Sequence, residues 1–295
     1  ENEMGVCIHM GRLVDDPEIW RPTIQVYMPG QDLLVTTLHG RGTHSFGAGA
    51  GPLKISCIEP FRLWSIEFDG VAQRVSRAEL MNGIVREAPV EPIRFHLLFE
   101  AAGPYYGQQK DMEDGHHVHS FHTEQIMRMR GHFQHGGKVT IVDGVGCRDH
   151  SNGPRDYGKV YGDLWFQSLF ENGDTIHMAV VKLHGSEIRT GYHYCAATKV
   201  TELIEIVDHP FVEGEDAPPA SVARDPLSDP AVRNYRIVLR RQNGEEIVID
   251  GELVHSHAIT YMSPMEEMNG ASSAQDGLQM CEAPTRVTWD GMKGL

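Results

Sequence analysis

The sequence lacks the marks of a secreted or membrane-spanning protein. Its five cysteines (positions 7, 57, 147, 195 and 281) are odd in number, widely spaced and without a C-x-x-C pair. This pattern favours free thiols in a reducing, cytoplasmic compartment over a disulfide framework. No apolar run approaches the ~20 residues of a membrane helix, so we expect no membrane insertion. No signal peptide is visible, but the chain begins at Glu1 without Met, so its natural start can lie upstream.

Positive charge is also scarce. The chain has 26 Lys and Arg against 41 Asp and Glu, a formal net charge of −15. Nucleic acids and anionic membranes need a surplus of Lys and Arg, so neither is an expected partner. The sequence contains no Gly-rich phosphate loop and no G-x-S-x-G elbow, which removes the usual nucleotide-binding and serine-hydrolase patterns. We predict no cofactor.

Short apolar segments separated by Gly, Asp-Gly and Asn-Gly turns dominate the chain and predict an all-β protein. The single helix signal spans residues 74–82. The Gly-rich and polar segment from Gly103 to His117 is predicted to be a connection between two domains. We therefore predict two β domains, 1–115 and 116–295. The other predicted strands are 23–27, 33–38, 53–57, 61–68, 93–100, 200–207, 235–239, 246–249 and 286–289, with a hairpin over 139–150 that turns at Asp143-Gly144.

The clearest hairpin joins residues 164–171 to 174–183. Asn172-Gly173 fits a two-residue type I′ turn, which pairs Glu171 with Asp174 and places His177 opposite Ser168. Both faces of this hairpin are mostly apolar. The hairpin is therefore expected to be covered on both sides, by the partner domain, by a ligand cavity or by a second copy in a homodimer.

Residues 149–157 (DHSNGPRDY) concentrate ionisable side chains on a turn that follows an apolar strand. Two interpretations stay open: a charge network that locks the turn, or a carboxyl group with a raised pKa that acts as a general acid. Strand alternation points Asp149 and His150 to opposite faces, so one of them is expected to react and the other to be structural. The catalytic candidates in this run are Asp149, His150, Arg155 and Asp156.

A second cluster is rich in histidine. On a strand, His117 and His119 share one face, and His122 and Glu124 also share a face. Such a set could hold zinc or iron, but its spacing matches no metal signature closely. We therefore predict no metal and treat His119, His122 and Glu124 as polar residues at the mouth of a ligand site.

Residues 146–153 (GCRDHSNG) resemble the G-x-x-D-H/R-x-W-G motif of the hydroxyneurosporene synthase (carotenoid 1,2-hydratase) and AttH-like lipocalin superfamily. The resemblance continues into Leu164-Trp165-Phe166 and the 170–174 turn. It implies two packed lipocalin-like β-barrel or sandwich domains with a ligand cavity at or near their interface. It also implies hydratase-like acid chemistry, with the motif's carboxylate at Asp149. Asn152 stands where the motif has Trp, which implies a wider, more polar pocket.

The leading functional hypothesis is a cofactor-free lyase or isomerase, most simply a hydratase or dehydratase, for a hydrophobic isoprenoid or aromatic molecule. Asp149 would transfer the proton, with His150 or Arg155 setting its protonation state. Two alternatives remain: a non-catalytic carrier, and a metal-dependent lyase built on residues 117–124. The residues expected to line the pocket are Asn152, Tyr157, Trp165, Phe166 and His177.

Overall fold

A computed structural model describes residues 3–13, 15–42, 47–109, 121–153, 160–183, 186–209, 227, 230–263, 266–271 and 278–295. The strands are, in chain order, β1 (Gly5–Arg12), β2 (Ile19–Tyr27), β3 (Asp32–Thr37), β4 (Gly40–Arg41), β5 (Gly47–Ala50), β6 (Leu53–Glu59), β7 (Leu63–Ser76), β8 (Val90–Gln109), β9 (Phe121–His135), β10 (Lys138–Asn152), β11 (Val160–Leu169), β12 (Thr175–Leu183), β13 (Ser186–Cys195), β14 (Val200–Leu203), β15 (Glu205–Asp208), β16 (Asn234–Arg240), β17 (Glu246–Leu253), β18 (His257–Ser263), β19 (Glu266–Asn269), β20 (Leu278–Glu282), β21 (Thr285–Trp289) and β22 (Met292–Gly294). The helices are α1 (Arg77–Asn82) and α2 (Pro230–Arg233).

Antiparallel sheets make up the molecule, which confirms the all-β prediction. Sheet I runs β1-β2-β3-β7-β8-β9-β10, with β4, β5 and β6 attached. Sheet II is β11-β12-β13-β14, sheet III is β15-β16-β17-β21-β22, and sheet IV is β19-β18-β20. Within the described part of the chain, no helix has the length and apolar character needed to cross a membrane.

The long strands of sheet I differ from the sequence prediction in two places. β10 is one continuous strand, so the predicted turn at Asp143-Gly144 is wrong. The turn lies instead at Gly136 and Gly137, which have φ of +56° and +78° and join β9 to β10. β8 extends to Gln109, so the segment predicted to connect two domains is strand from Gly103 to Gln109. The rest of that segment lies outside the described residues.

The division into domains near residue 115 stays a prediction. That boundary falls between β8 and β9, which pair along most of their length in sheet I. The chain changes sheets later, between the end of β10 at Asn152 and the start of β11 at Val160. One apolar core is built from side chains of sheet I. A separate core lies between sheets II and III.

Helix α1 is shorter than predicted because its start is set by a capping box. The Ser76 hydroxyl accepts from the Glu79 backbone N–H, and the Glu79 carboxylate accepts from the Ser76 N–H. These bonds satisfy amides that the first helical turn leaves without partners. The three preceding residues, from Arg74, remain in β7.

The β11–β12 hairpin shows a one-residue shift from its predicted register. Gly173 has φ of +88°, and the Phe170 N–H donates to Asp174 O, so the loop contains three residues. His177 therefore lies opposite Gln167, and the predicted pairing with Ser168 is wrong. Because side chains alternate along a strand, a slip of one residue exchanges the faces of β12 relative to β11. This shift decides which residues reach the candidate site.

Sheet IV covers the face of sheet I that carries Tyr27, and it buries two histidines there. The His255 and His257 side chains contact the Tyr27 ring edge-on, with ring centroids 4.9 and 5.1 Å away. Both residues are buried, and burial lowers the pKa of His255 and lowers that of His257 to about 3. The fold therefore holds both rings in their neutral form.

These neutral histidines predict a loss of stability in acid. Between pH 6.5 and about 3 the unfolded chain binds a proton at His257 that the folded chain does not, so the free energy of unfolding falls as pH falls. The loss from His257 should reach on the order of 3–5 kcal/mol near pH 3. Urea titrations at pH 7, 5.5 and 4 should show a shallower decline for His257→Leu than for the unchanged protein. Parallel declines would contradict the prediction.

Candidate functional site

The candidate site is built around Glu124 on β9. Its register neighbours in sheet I are Tyr106 on β8 and Asp149 on β10. Residues at even positions of this part of β9 share one face, so His122 stands beside Glu124. The same alternation brings Cys147 and Asp149 to this face and sends Arg148 and His150 to the other, as the sequence predicted.

His122 joins two carboxylates. Its Nε2 lies 2.9 Å from Asp149 Oδ1 and 3.2 Å from Glu124 Oε1. The Asp149 side chain is 39% exposed, whereas that of Glu124 is 9% exposed. The imidazole thus lies within ion-pair range of an accessible carboxyl group and of a buried one.

Sheet II supplies the other partners of Glu124. His177 Nδ1 lies 2.6 Å from Glu124 Oε2, and Gln167 Nε2 donates to the same oxygen at 2.9 Å. Gln167 and His177 are cross-strand neighbours on β11 and β12. Glu124 therefore gathers nitrogen groups from both sheets, which offsets the cost of burying its charge.

Aromatic rings surround this network. The Trp165 ring contacts His122 edge-on at 5.2 Å between centroids, and Trp165 is 37% exposed. On the other side, Tyr106 stacks on Tyr192 at 4.8 Å and on His177 at 5.8 Å. The rings limit the orientations of both histidines and provide an apolar wall.

Two further ionisable groups lie beside the network. Asp163 precedes Trp165 and Gln167 on the same face of β11, and burial raises the pKa of its carboxyl group to about 6. Burial also raises the pKa of the Cys147 thiol. Both residues keep exposed surface although protein atoms crowd around them.

Several predicted site residues lie elsewhere. Phe166 points away from Trp165 into the core between sheets II and III, so it is a packing residue. His150 is on the far face of β10, where its backbone oxygen accepts from Thr123 Oγ1. Asn152 is exposed at the end of β10, opposite Phe121. The remaining predicted residues fall outside the described part of the chain: His117, His119, Arg155, Asp156 and Tyr157.

Gln167 and Asp163 were missed as site residues. The sequence offered a signal for both, because they alternate with Trp165 along β11 and are polar in an otherwise apolar segment. The predicted hairpin register put Gln167 and His177 on opposite faces, and this error hid their shared contact with Glu124.

Two cavities among the described residues contain none of the predicted site residues. One, of about 480 Å³, is lined by residues such as Cys195, Glu202 and Arg241. The other, of about 110 Å³, lies near Met28 and Phe133. Over the same described ranges, no group of three or more His, Cys, Asp or Glu is arranged to hold a metal ion.

Comparisons with known proteins place the chain by family and by fold. A family model described as "Domain of unknown function (DUF7064)" matches residues 1–295. A crystal structure of a putative AttH (NE1406) from Nitrosomonas europaea superposes with a TM-score of 0.54, covering 99% of this chain and 85% of the other at 10% identity. At that identity the likeness concerns the fold alone, and it confirms the predicted AttH-like, lipocalin-like β architecture. None of the curated proteins matches the chain.

Proposed function

The chain belongs to the DUF7064 family, and from the site above we propose that it is a cofactor-independent lyase or isomerase. Its substrate would be a hydrophobic isoprenoid or aromatic molecule, and the simplest reaction would be hydration of an alkene or its reverse. The observation that carries this proposal is the close approach of His122 Nε2 to the carboxylates of both Asp149 and Glu124, beside Trp165.

Each group has a defined role in the proposed reaction. Protonated Asp149 donates its proton to one alkene carbon, and the adjacent carbon becomes cationic. The face of the Trp165 ring stabilises that cation by roughly 0.5–2 kcal/mol. Water attacks the cation and loses a proton, which returns to Asp149 directly or through His122. The proton balance then closes without a cofactor.

Glu124 and His177 are proposed to position the reacting pair. Glu124 fixes His122 in the orientation that reaches Asp149, while His177 and Gln167 hold Glu124 in place. A fixed geometry matters because a proton donor must lie within hydrogen-bonding reach of the atom that it protonates.

A carrier remains the second candidate. The specific observation in its favour is that Glu124 is fully engaged with groups of both sheets, as it would be in a purely structural lock. A lipocalin-like fold in which Glu124 only joins the two sheets would retain a hydrophobic ligand without converting it.

An isotope experiment separates the two candidates. Small molecules released from the purified protein by denaturation would be identified by mass spectrometry and returned to fresh protein in D₂O. The enzyme proposal expects a product that has gained or lost water, or substrate with carbon-bound deuterium. Heat-inactivated protein is the control. A tightly bound molecule that returns chemically unchanged would favour the carrier.

A further inference from the structure

An exposed aromatic and arginine patch lies at the end of the β6–β7 hairpin. Ile58 is 55% exposed and Phe61 is 58% exposed. The Phe61 ring meets Tyr105 of β8 edge-on, with centroids 4.9 Å apart. Behind them the Arg148 guanidinium lies 4.6 Å over the Trp64 ring. We call these five residues the tip patch.

The backbone of the tip patch is held in an unusual conformation. Phe61 has φ of +58°, a region that residues with a bulky side chain rarely adopt. The buried Gln125 side chain secures it, because its Nε2 donates to Phe61 O at 2.8 Å and to Gly103 O at 3.2 Å. An exposed Phe is thus kept in place by a buried amide, an arrangement expected where exposure of that ring serves a function.

The tip patch lies directly behind the candidate site. Gln125 follows Glu124 on β9, and Arg148 precedes Asp149 on β10. Because neighbouring residues of a strand point to opposite faces, the same two strands carry the carboxylates on one face and the supports of the tip patch on the other. Whatever contacts the tip patch would therefore be held on the strands that carry the candidate site, on their opposite face.

The size of the patch decides between possible occupants. The three exposed apolar side chains, those of Ile58, Phe61 and Tyr105, present an accessible area on the order of 300 Å². A stable protein interface buries ~800 Å² per partner. A few exposed apolar side chains beside Tyr105, Arg148 and the exposed ion pair of Glu59 and Arg62, whose charges cancel, are instead typical of proteins that rest on a lipid interface. The net charge of −15 opposes an anionic surface but not a zwitterionic one.

We propose that the tip patch docks the protein on zwitterionic lipid surfaces. Ile58 and Phe61 enter the boundary between headgroups and acyl chains, where the bilayer excludes water from them. Tyr105 lies at headgroup level, and Arg148, held over the Trp64 ring, faces lipid phosphate oxygens. The docking concerns the surface only, and no segment spans the bilayer.

Flotation of the full chain with phosphatidylcholine vesicles tests this assignment. We expect the unchanged protein to float with the vesicles and the Ile58→Ser/Phe61→Ser variant to lose at least tenfold in bound fraction. Val90→Ser is the matched control, because Val90 is 60% exposed but lies at the opposite end of β8 from Tyr105. Circular dichroism and melting curves verify that each variant is folded.

The proposal would be overturned by absence of flotation of the unchanged protein, by an equal loss in the Val90 control, or by a dimer in solution that the double variant dissociates. Flotation only with anionic vesicles would also contradict the proposal, because binding would then depend on attraction between Arg148 and negative lipid charge. The assay measures binding without turnover, so its outcome is separate from that of the proposed reaction.

Discussion

Replacing Asp149 by asparagine should lower turnover of the identified substrate by about 10²–10⁴-fold, the usual contribution of a general acid. Asparagine has nearly the same shape, and its Oδ1 can keep the position 2.9 Å from His122 Nε2 that the carboxylate oxygen has in the unchanged protein. Its amide group donates hydrogen bonds but is too weak an acid to transfer a proton to an alkene. We therefore expect the fold and ligand affinity to be nearly unchanged while the chemical step fails.

The matched control for this variant is Asp143→Asn. Asp143 lies on the same strand, is 74% exposed and is 3.8 Å from Arg130, far along the strand from His122. It should keep the full rate, because exposed ion pairs contribute little. Turnover followed by mass spectrometry compares the two variants directly. A fully active Asp149→Asn protein would exclude Asp149 as the proton donor and favour the carrier.

Replacing Glu124 by alanine should lower the free energy of unfolding by about 3–5 kcal/mol. The substitution leaves the buried His177 Nδ1 and the part-buried Gln167 Nε2 without their acceptor, and it opens a cavity between sheets I and II. Glutamine at this position should cost less, since one oxygen remains to accept.

Urea unfolding measures this effect, and a double-mutant cycle isolates it. Glu124→Ala combined with His177→Ala should be less destabilising than the sum of the two single variants, because the first change already breaks the contact. Glu67→Ala is the control: it is exposed on β7 and should change stability by less than about 0.5 kcal/mol. Additive effects in the cycle would show that the two side chains are not coupled.

The local parts of the site could be predicted from the sequence. Alternation along β9 and β10 correctly put His122 beside Glu124 and separated Asp149 from His150, because the side-chain period of a strand is two. The same rule failed on the β11–β12 hairpin. A two-residue and a three-residue loop around Asn172-Gly173 differ by one residue in register, and the residue types fit both.

The sequence by itself determined that the chain is all-β and that polar groups collect near residues 122–124 and 149. Those properties follow from residue order along single strands. Only the tertiary structure decided that Glu124 meets His177 and Gln167, that Phe166 belongs to the core, and that Trp165 faces His122. Such contacts join separate sheets, and they depend on the packing of whole faces, which no pattern within one strand encodes.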